Sequence, residues 1–167
     1  LDPRQVSRAV DLLRRSRRVV CMGQGSSMVL SEEAWTLFST VSPKFLFVPD
    51  SHLQMNTLAL MDPDELVLFF SYSGSTRDFQ DLLEVARQRQ VKVVLVSRFP
   101  KSPGGQLADV VLQCGADEGP LQAGSVNARM AQLFVLDVLF QEFCMRAPEE
   151  TEQSREQIAE AVARKHL

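Results

Sequence analysis

Five short, largely apolar runs punctuate this chain of 167 residues: Val19 to Met22, Phe45 to Val48, Leu66 to Phe70, Val91 to Val96 and Val110 to Gln113. None of them alternates strictly between apolar and polar residues, as a strand with one wet face would. Unbroken runs this short are the mark of strands buried on both faces. Between them lie stretches of helical period, such as Val6, Ala9, Val10 and Leu13, or Phe79, Leu82, Leu83 and Ala86. Strands alternating with helices predict an α/β fold with a parallel sheet and right-handed crossovers. In that architecture ligands sit beyond the carboxyl ends of the strands, near a topological switch point.

Two of these strand ends carry unusual chemistry. The run Leu66 to Phe70 stops abruptly at Ser71-Tyr72-Ser73-Gly74-Ser75-Thr76-Arg77-Asp78, and a helix begins at once. A helix start offers N–H groups without intrahelical partners and a dipole that favours negative charge. Gly74 would let the backbone approach a ligand closely. Two readings are open: Ser75 or Thr76 is an ordinary helix cap, or the hydroxyls of Ser71, Ser73, Ser75 and Thr76 surround a phosphate. Four hydroxyls about one glycine favour the second. Earlier in the chain, Val19 to Met22 runs into Gly23-Gln24-Gly25-Ser26-Ser27 and a helix over Met28 to Thr40. This repeats the same grammar, and Ser26 and Ser27 either cap that helix or reach the same ligand. A dinucleotide fingerprint would need a third glycine where Met28 stands, which argues against NAD.

Other elements are plainer. Pro3 to Ser16 reads as an amphipathic helix capped by Asp2, and the arginines that follow it suit a helix carboxyl end. Pro49-Asp50-Ser51-His52 opens a helix carrying Leu53, Met55, Leu58 and Leu60, and His52 falls just past a strand end. Lys101 to Gly105 reads as a loop, followed by a single turn at Gln106 to Ala108. The helix from about Ser125 to Arg146 is apolar nearly all round, which predicts a sheet on one side and a subunit partner on the other. Trp35, Leu37 and Phe38 read as core or subunit contact. Glu149 to Lys165 is charged and helical in period, with only Ile158 and Val162 to bury, and is expected to be marginal or docked on a partner.

Composition narrows the class. Apolar residues at 45%, charged residues at 23% and a net charge of -3 describe an ordinary globular domain without the basic footprint that drives nucleic-acid binding. The apolar runs are too short to span a bilayer, no signal peptide opens the chain, and a cytoplasmic protein is expected. Cys21, Cys114 and Cys144 lie far apart in apolar surroundings, which predicts buried, reduced thiols rather than a metal site or a disulfide framework.

Taken together, several segments resemble a known family. They are Gly23 to Ser27, Pro49 to His52, Ser71 to Asp78, Ser97 after its strand, Leu107 to Leu112 and Ala128 to Leu133. The chain resembles a sugar isomerase (SIS) domain and, more narrowly, the effector-binding domain of RpiR-type bacterial transcriptional regulators. The similarity runs from about Leu1 to Arg146, with the Ser-x-Ser-Gly-x-Thr loop as its most specific element. It implies a flavodoxin-like three-layer sandwich with a five-stranded parallel sheet over residues 1–147, followed by a helical tail over 148–167. The resemblance also implies that Ser71, Ser73, Gly74, Ser75 and Thr76 bind the phosphate of a sugar phosphate. Gly25, Ser26, Ser27, His52 and Asn127 would line the sugar. No cofactor or metal is called for, a homodimer or higher homo-oligomer is expected, and DNA would be reached only through an N-terminal helix-turn-helix domain in a longer chain. SIS isomerases need a base, commonly a glutamate near the start of the long helix. Here Leu121 to Asn127 holds no carboxylate, Asp117 and Glu118 lie earlier, and His52 alone makes a poor acid/base pair. The resemblance therefore implies a sensor rather than a catalyst, with an aldose-ketose phosphate isomerase as the alternative.

Overall fold

A computed structural model of the chain describes residues 1–115 and 126–163. In chain order its elements are α1 (Pro3–Arg15), β1 (Val19–Gly23), a 3-10 turn (Gly25–Ser27), α2 (Met28–Ser39), β2 (Phe45–Phe47), α3 (Ser51–Ala59) and β3 (Leu66–Phe70). They continue with α4 (Arg77–Arg89), β4 (Lys92–Ser97), α5 (Pro103–Leu107), β5 (Val110–Gln113), α6 (Val126–Met145) and α7 (Pro148–Ala163). The five strands form one sheet in the order β2-β1-β3-β4-β5, and every pairing is parallel. This is the expected flavodoxin-like order. β1 feeds β2 on one side and β3 lies on its other side, so the switch point falls between β1 and β3. Their register runs from Val19 opposite Leu66 to Gly23 opposite Phe70, which brings both strands to their ends side by side.

The pleat sends alternate residues of each strand to opposite faces, and both faces are covered. Val19 and Cys21 of β1 join Leu68 and Val94 in a core with Val10, Leu13, Phe38, Leu139 and Phe140 of α1, α2 and α6. Val20 and Met22 join Phe69 and Leu95 in a second core with Leu58, Phe79 and Leu82 of α3 and α4. Burial of these strands on both faces is why their sequences read as continuous apolar runs. Rings meet on both sides: Phe38 packs edge-on to Phe140 and Phe143, and Phe69 stacks on Phe79 with centroids 4.2 Å apart.

Two expectations change. Residues 103–107 form a short helix where a loop was expected, because Ser102 caps it through its Oγ, which accepts from Gly105 N–H, and Pro103 starts it. The tail, expected to be marginal or docked on a partner, rests its first turn on the domain itself: Thr151 of α7 is buried, its Oγ donates to Cys144 O at 3.4 Å, and Glu150 pairs with Arg14 at 2.9 Å. Beyond that first turn α7 is exposed apart from half-buried Ser154, with Ile158 and Val162 among the exposed residues. Cys21, Cys114 and Cys144 are all buried and none is in a disulfide, as expected. No described helix is long and apolar enough to cross a membrane.

Candidate functional site

Two turns converge at the switch point. The segment after β1 and the segment after β3 together line a cleft of about 280 Å³ through Gln24, Gly25, Ser26, Ser27, Ser71, Tyr72, Ser73 and Thr76, with Phe69 and Phe70 as its floor. The sheet explains the convergence. These turns lie far apart along the chain, yet β1 and β3 are neighbours in register, so whatever follows one must face whatever follows the other.

The hydroxyls at the two helix starts are placed unusually. Thr76 occupies the N-cap of α4 and Ser27 the N-cap of α2, and neither side chain makes a capping hydrogen bond. The contrast with other helices is sharp, since Asp2, Asp50 and Ser102 all cap α1, α3 and α5 with their side chains. The capping reading of the Ser/Thr loop therefore fails where it is testable. Both Ser27 and Thr76 line the cleft. Thr76, with extended backbone, leaves the first N–H groups of α4 without a side-chain acceptor, an arrangement that suits an anion, whereas Ser27 belongs to the 3-10 turn and the Met28 N–H of α2 already donates to Gly25 O. Ser71 Oγ accepts from Gly74 N–H at 3.2 Å and Ser73 Oγ from Ser75 N–H at 3.3 Å, which shapes the loop and leaves each hydroxyl a proton to donate.

The family model of the SIS domain matches residues 12–142, most of the chain and all of this cleft. The chain belongs to the SIS domain family. This SIS domain is 28% identical over 141 residues to the uncharacterized HTH-type transcriptional regulator YbbH of Bacillus subtilis (strain 168), covering 84% of this chain and 50% of that protein. It is 27% identical over 136 residues to the HTH-type transcriptional regulator RpiR of Escherichia coli (strain K12), covering 81% of this chain and 46% of that one. The chain thus spans about half the length of the curated relatives it matches. Among solved structures, it superposes on the Vibrio vulnificus NanR protein complexed with ManNAc-6P with a TM-score of 0.89 at 25% identity, over 96% of this chain and 61% of that one. The sugar isomerase domain of the RpiR transcription factor from Sphaerobacter thermophilus shares the fold, with a TM-score of 0.84 at 22% identity over 95% and 87% of the two chains.

Within this SIS domain the expected site residues part company. Gly25, Ser26, Ser27, Ser71, Ser73 and Thr76 share the cleft. His52 lines a neighbouring cleft of about 220 Å³ with Ser51, Met55, Asp78 and Asp81, joined to the first through Gln24, which lines both. Asn127 lies exposed in the first turn of α6 and lines neither. Ser75 is also outside the cleft lining, and its Oγ donates to Ser73 O at 3.0 Å. Gly74 is not among the residues lining the cleft, and its own surroundings require a glycine there. Its φ is +61°, and a Cβ there would overlap the Ser102 Oγ and lie 3.2 Å from the Ser97 Oγ, so the crowding comes from the protein itself.

Gln24 is the residue that the motif alone underrates. Its Nε2 is buried without an acceptor in a side chain that borders both clefts. Gln54 looks like a similar polar group but is structural, since its fully buried Nε2 donates to Gly23 O at 2.9 Å and Val48 O at 2.8 Å and ties together the ends of β1 and β2. Among the described residues, no carboxylate or imidazole lines the serine cleft. Asp117 and Glu118 lie outside the described residues.

Proposed function

We propose that this SIS domain is the sugar-phosphate sensor of an RpiR-type transcriptional regulator. In this reading the phosphate sits against Ser71, Ser73 and Thr76 and the first N–H groups of α4. Gly25, Ser26 and Ser27 take the near side of the sugar, and Gln24 and His52 take its far end through the adjoining cleft. Binding shifts the DNA affinity of a helix-turn-helix domain in the longer protein, and the coupling is reciprocal. The observation that carries the proposal is the pair of N-cap hydroxyls, Ser27 and Thr76, that forgo capping and share one cleft. The regulator relatives and the NanR complex with ManNAc-6P support the ligand class.

A sensor fits better than an isomerase, because moving a proton between adjacent carbons needs a base within reach of the substrate. The described lining of the serine cleft offers hydroxyls, an amide and aromatic rings instead, and the titratable groups nearest to it, His52, Asp78 and Asp81, line the adjoining cleft and not the one assigned to the phosphate. A homodimer is part of the proposal: Val126, Met130 and Phe134 form an i, i+4, i+8 stripe on α6, each about 60% or more exposed. The test is a thermal-shift panel of sugar phosphates, the matching neutral sugars and inorganic phosphate. A true effector at about a hundredfold above its Kd should stabilise the domain by ~2.7 kcal/mol, and its neutral sugar should not. Flat responses to every sugar phosphate would overturn the proposal, and conversion of a hit to its isomer, followed by NMR, would make the protein an enzyme.

A further inference from the structure

The serine loop is held from behind as well as lined in front. Ser97 Oγ donates to Tyr72 O at 3.1 Å, and Arg98 N–H donates to the same carbonyl at 3.0 Å. Gly104 N–H, in α5, donates to Gly74 O at 2.9 Å. Ser71 N–H donates to Val96 O at 3.1 Å. The end of β4 and the start of α5 therefore bond three successive parts of the loop, at residues 71, 72 and 74.

Packing closes what the hydrogen bonds begin. The Cα of Gly74 faces Ser102, and the Cα of Gly104 faces Phe79, where a Cβ would overlap the ring and come within 2.8 Å of Gly74 O. Phe79 is itself fully buried and stacked on Phe69. Ser97 is 0% exposed and Ser102 8%, and neither lines the cleft. The Ser97 hydroxyl therefore acts on the loop directly, whereas the Ser102 hydroxyl caps α5, whose Gly104 N–H holds the loop, and packs against Gly74. Hydrogen-bond strength falls steeply with misalignment, so a loop fixed before binding holds an anion more tightly than one that must be ordered by it.

We infer that Ser97, Ser102 and Gly104 are positioning residues that hold the Ser71 to Thr76 loop in the curvature needed to grip a phosphate group. The inference rests on the phosphate reading of the cleft. It assigns the short α5 helix, absent from the sequence pattern, a role as the loop's back support.

The experiment compares the full chain with its Ser97→Ala, Ser102→Ala and Gly104→Ala variants, titrated calorimetrically at 10 °C with inorganic phosphate and with ManNAc-6P. Backbone amide NMR spectra are recorded in parallel. The expected result for Ser97→Ala is a folded protein whose Kd for both probes rises by roughly the same factor, about five- to tenfold. The ratio of the two Kd values stays put because the loss lies at the phosphate. The amide resonances of Ser73, Gly74 and Ser75 shift in the free protein, a signature that a general loss of stability would not produce. Gly104→Ala is expected to weaken binding further, and if it fails to fold, Ser97→Ala and Ser102→Ala carry the test. Folded variants that bind both probes like the wild type would overturn this inference and leave the proposed function standing. A wild type that binds no sugar phosphate would overturn both.

Discussion

Ser27 and Thr76 stand at the N-caps of two different helices, on two different strand ends, and both direct uncommitted hydroxyls into one cleft. A serine or threonine that caps its helix contributes about 0.5–2 kcal/mol, and one that does not should contribute little. Ser27→Ala and Thr76→Ala are therefore expected to shift the unfolding free energy by less than ~0.5 kcal/mol while weakening sugar-phosphate binding by about 1 kcal/mol each. Denaturant unfolding and titration calorimetry on the same samples check both halves.

Gly74→Ala should behave in the opposite way. A left-handed backbone at φ +61° and overlap with Ser102 Oγ penalise any Cβ. The two effects together are expected to destabilise the domain by about 2–4 kcal/mol, read as a fall in Tm, with binding lost as the loop moves.

Glu65 provides a control at the amino end of β3, away from the cleft. Its carboxylate is 1% exposed, accepts from Asp62 N–H at 3.0 Å and Arg18 Nη2 at 2.9 Å, and lies 3.1 Å from Arg17 Nη2. Glu65→Ala should destabilise by about 2–3 kcal/mol, below the 3–5 of a fully enclosed pair because Arg17 and Arg18 are partly solvated. Ligand affinity, measured on the folded fraction at low temperature, should not change.

The exposed stripe on α6 tests the dimer. Met130→Glu with Phe134→Glu would place two carboxylates in an apolar contact at a desolvation cost. Light scattering coupled to size exclusion should then report half the wild-type mass with an unchanged circular dichroism spectrum. A wild type that already runs as a monomer would remove the stripe's assignment.

The thiols should be silent in the native state. Burial pushes the Cys21 thiol far above its ordinary range, and burial also raises that of Cys144. Folded protein should show no reaction with an aromatic disulfide reagent at pH 8, and all three thiols should react once it is unfolded. The sign for stability follows: above about pH 8.5 the unfolded thiols lose protons that the folded ones keep, so stability falls as pH rises through that region.

Much of this was legible in the residues because both signals are local. Leu66 to Phe70 is unbroken because each face of β3 meets a helix layer, and Ser71 to Thr76 carries its hydroxyls wherever the fold places them. The helix at 103–107 was not legible, since two of its five residues are glycine and glycine disfavours a helix. It forms because those glycines admit Phe79, the Gly74 carbonyl and the Pro100 carbonyl at distances no side chain would allow. The Ser102-Pro103 pair, a cap followed by a favoured first residue, was the available hint.

The amino-acid sequence alone determined the strands, the helices of strong period and the chemistry at the two serine-bearing turns, because each depends on neighbours a few residues apart. Only the tertiary structure decided that Ser27 and Thr76 share a cleft, that His52 lies in the next one, and that glycine at 74 answers to Ser102. Those facts follow from strand order and side-chain volume, which join residues distant in the chain and leave no periodic trace in it.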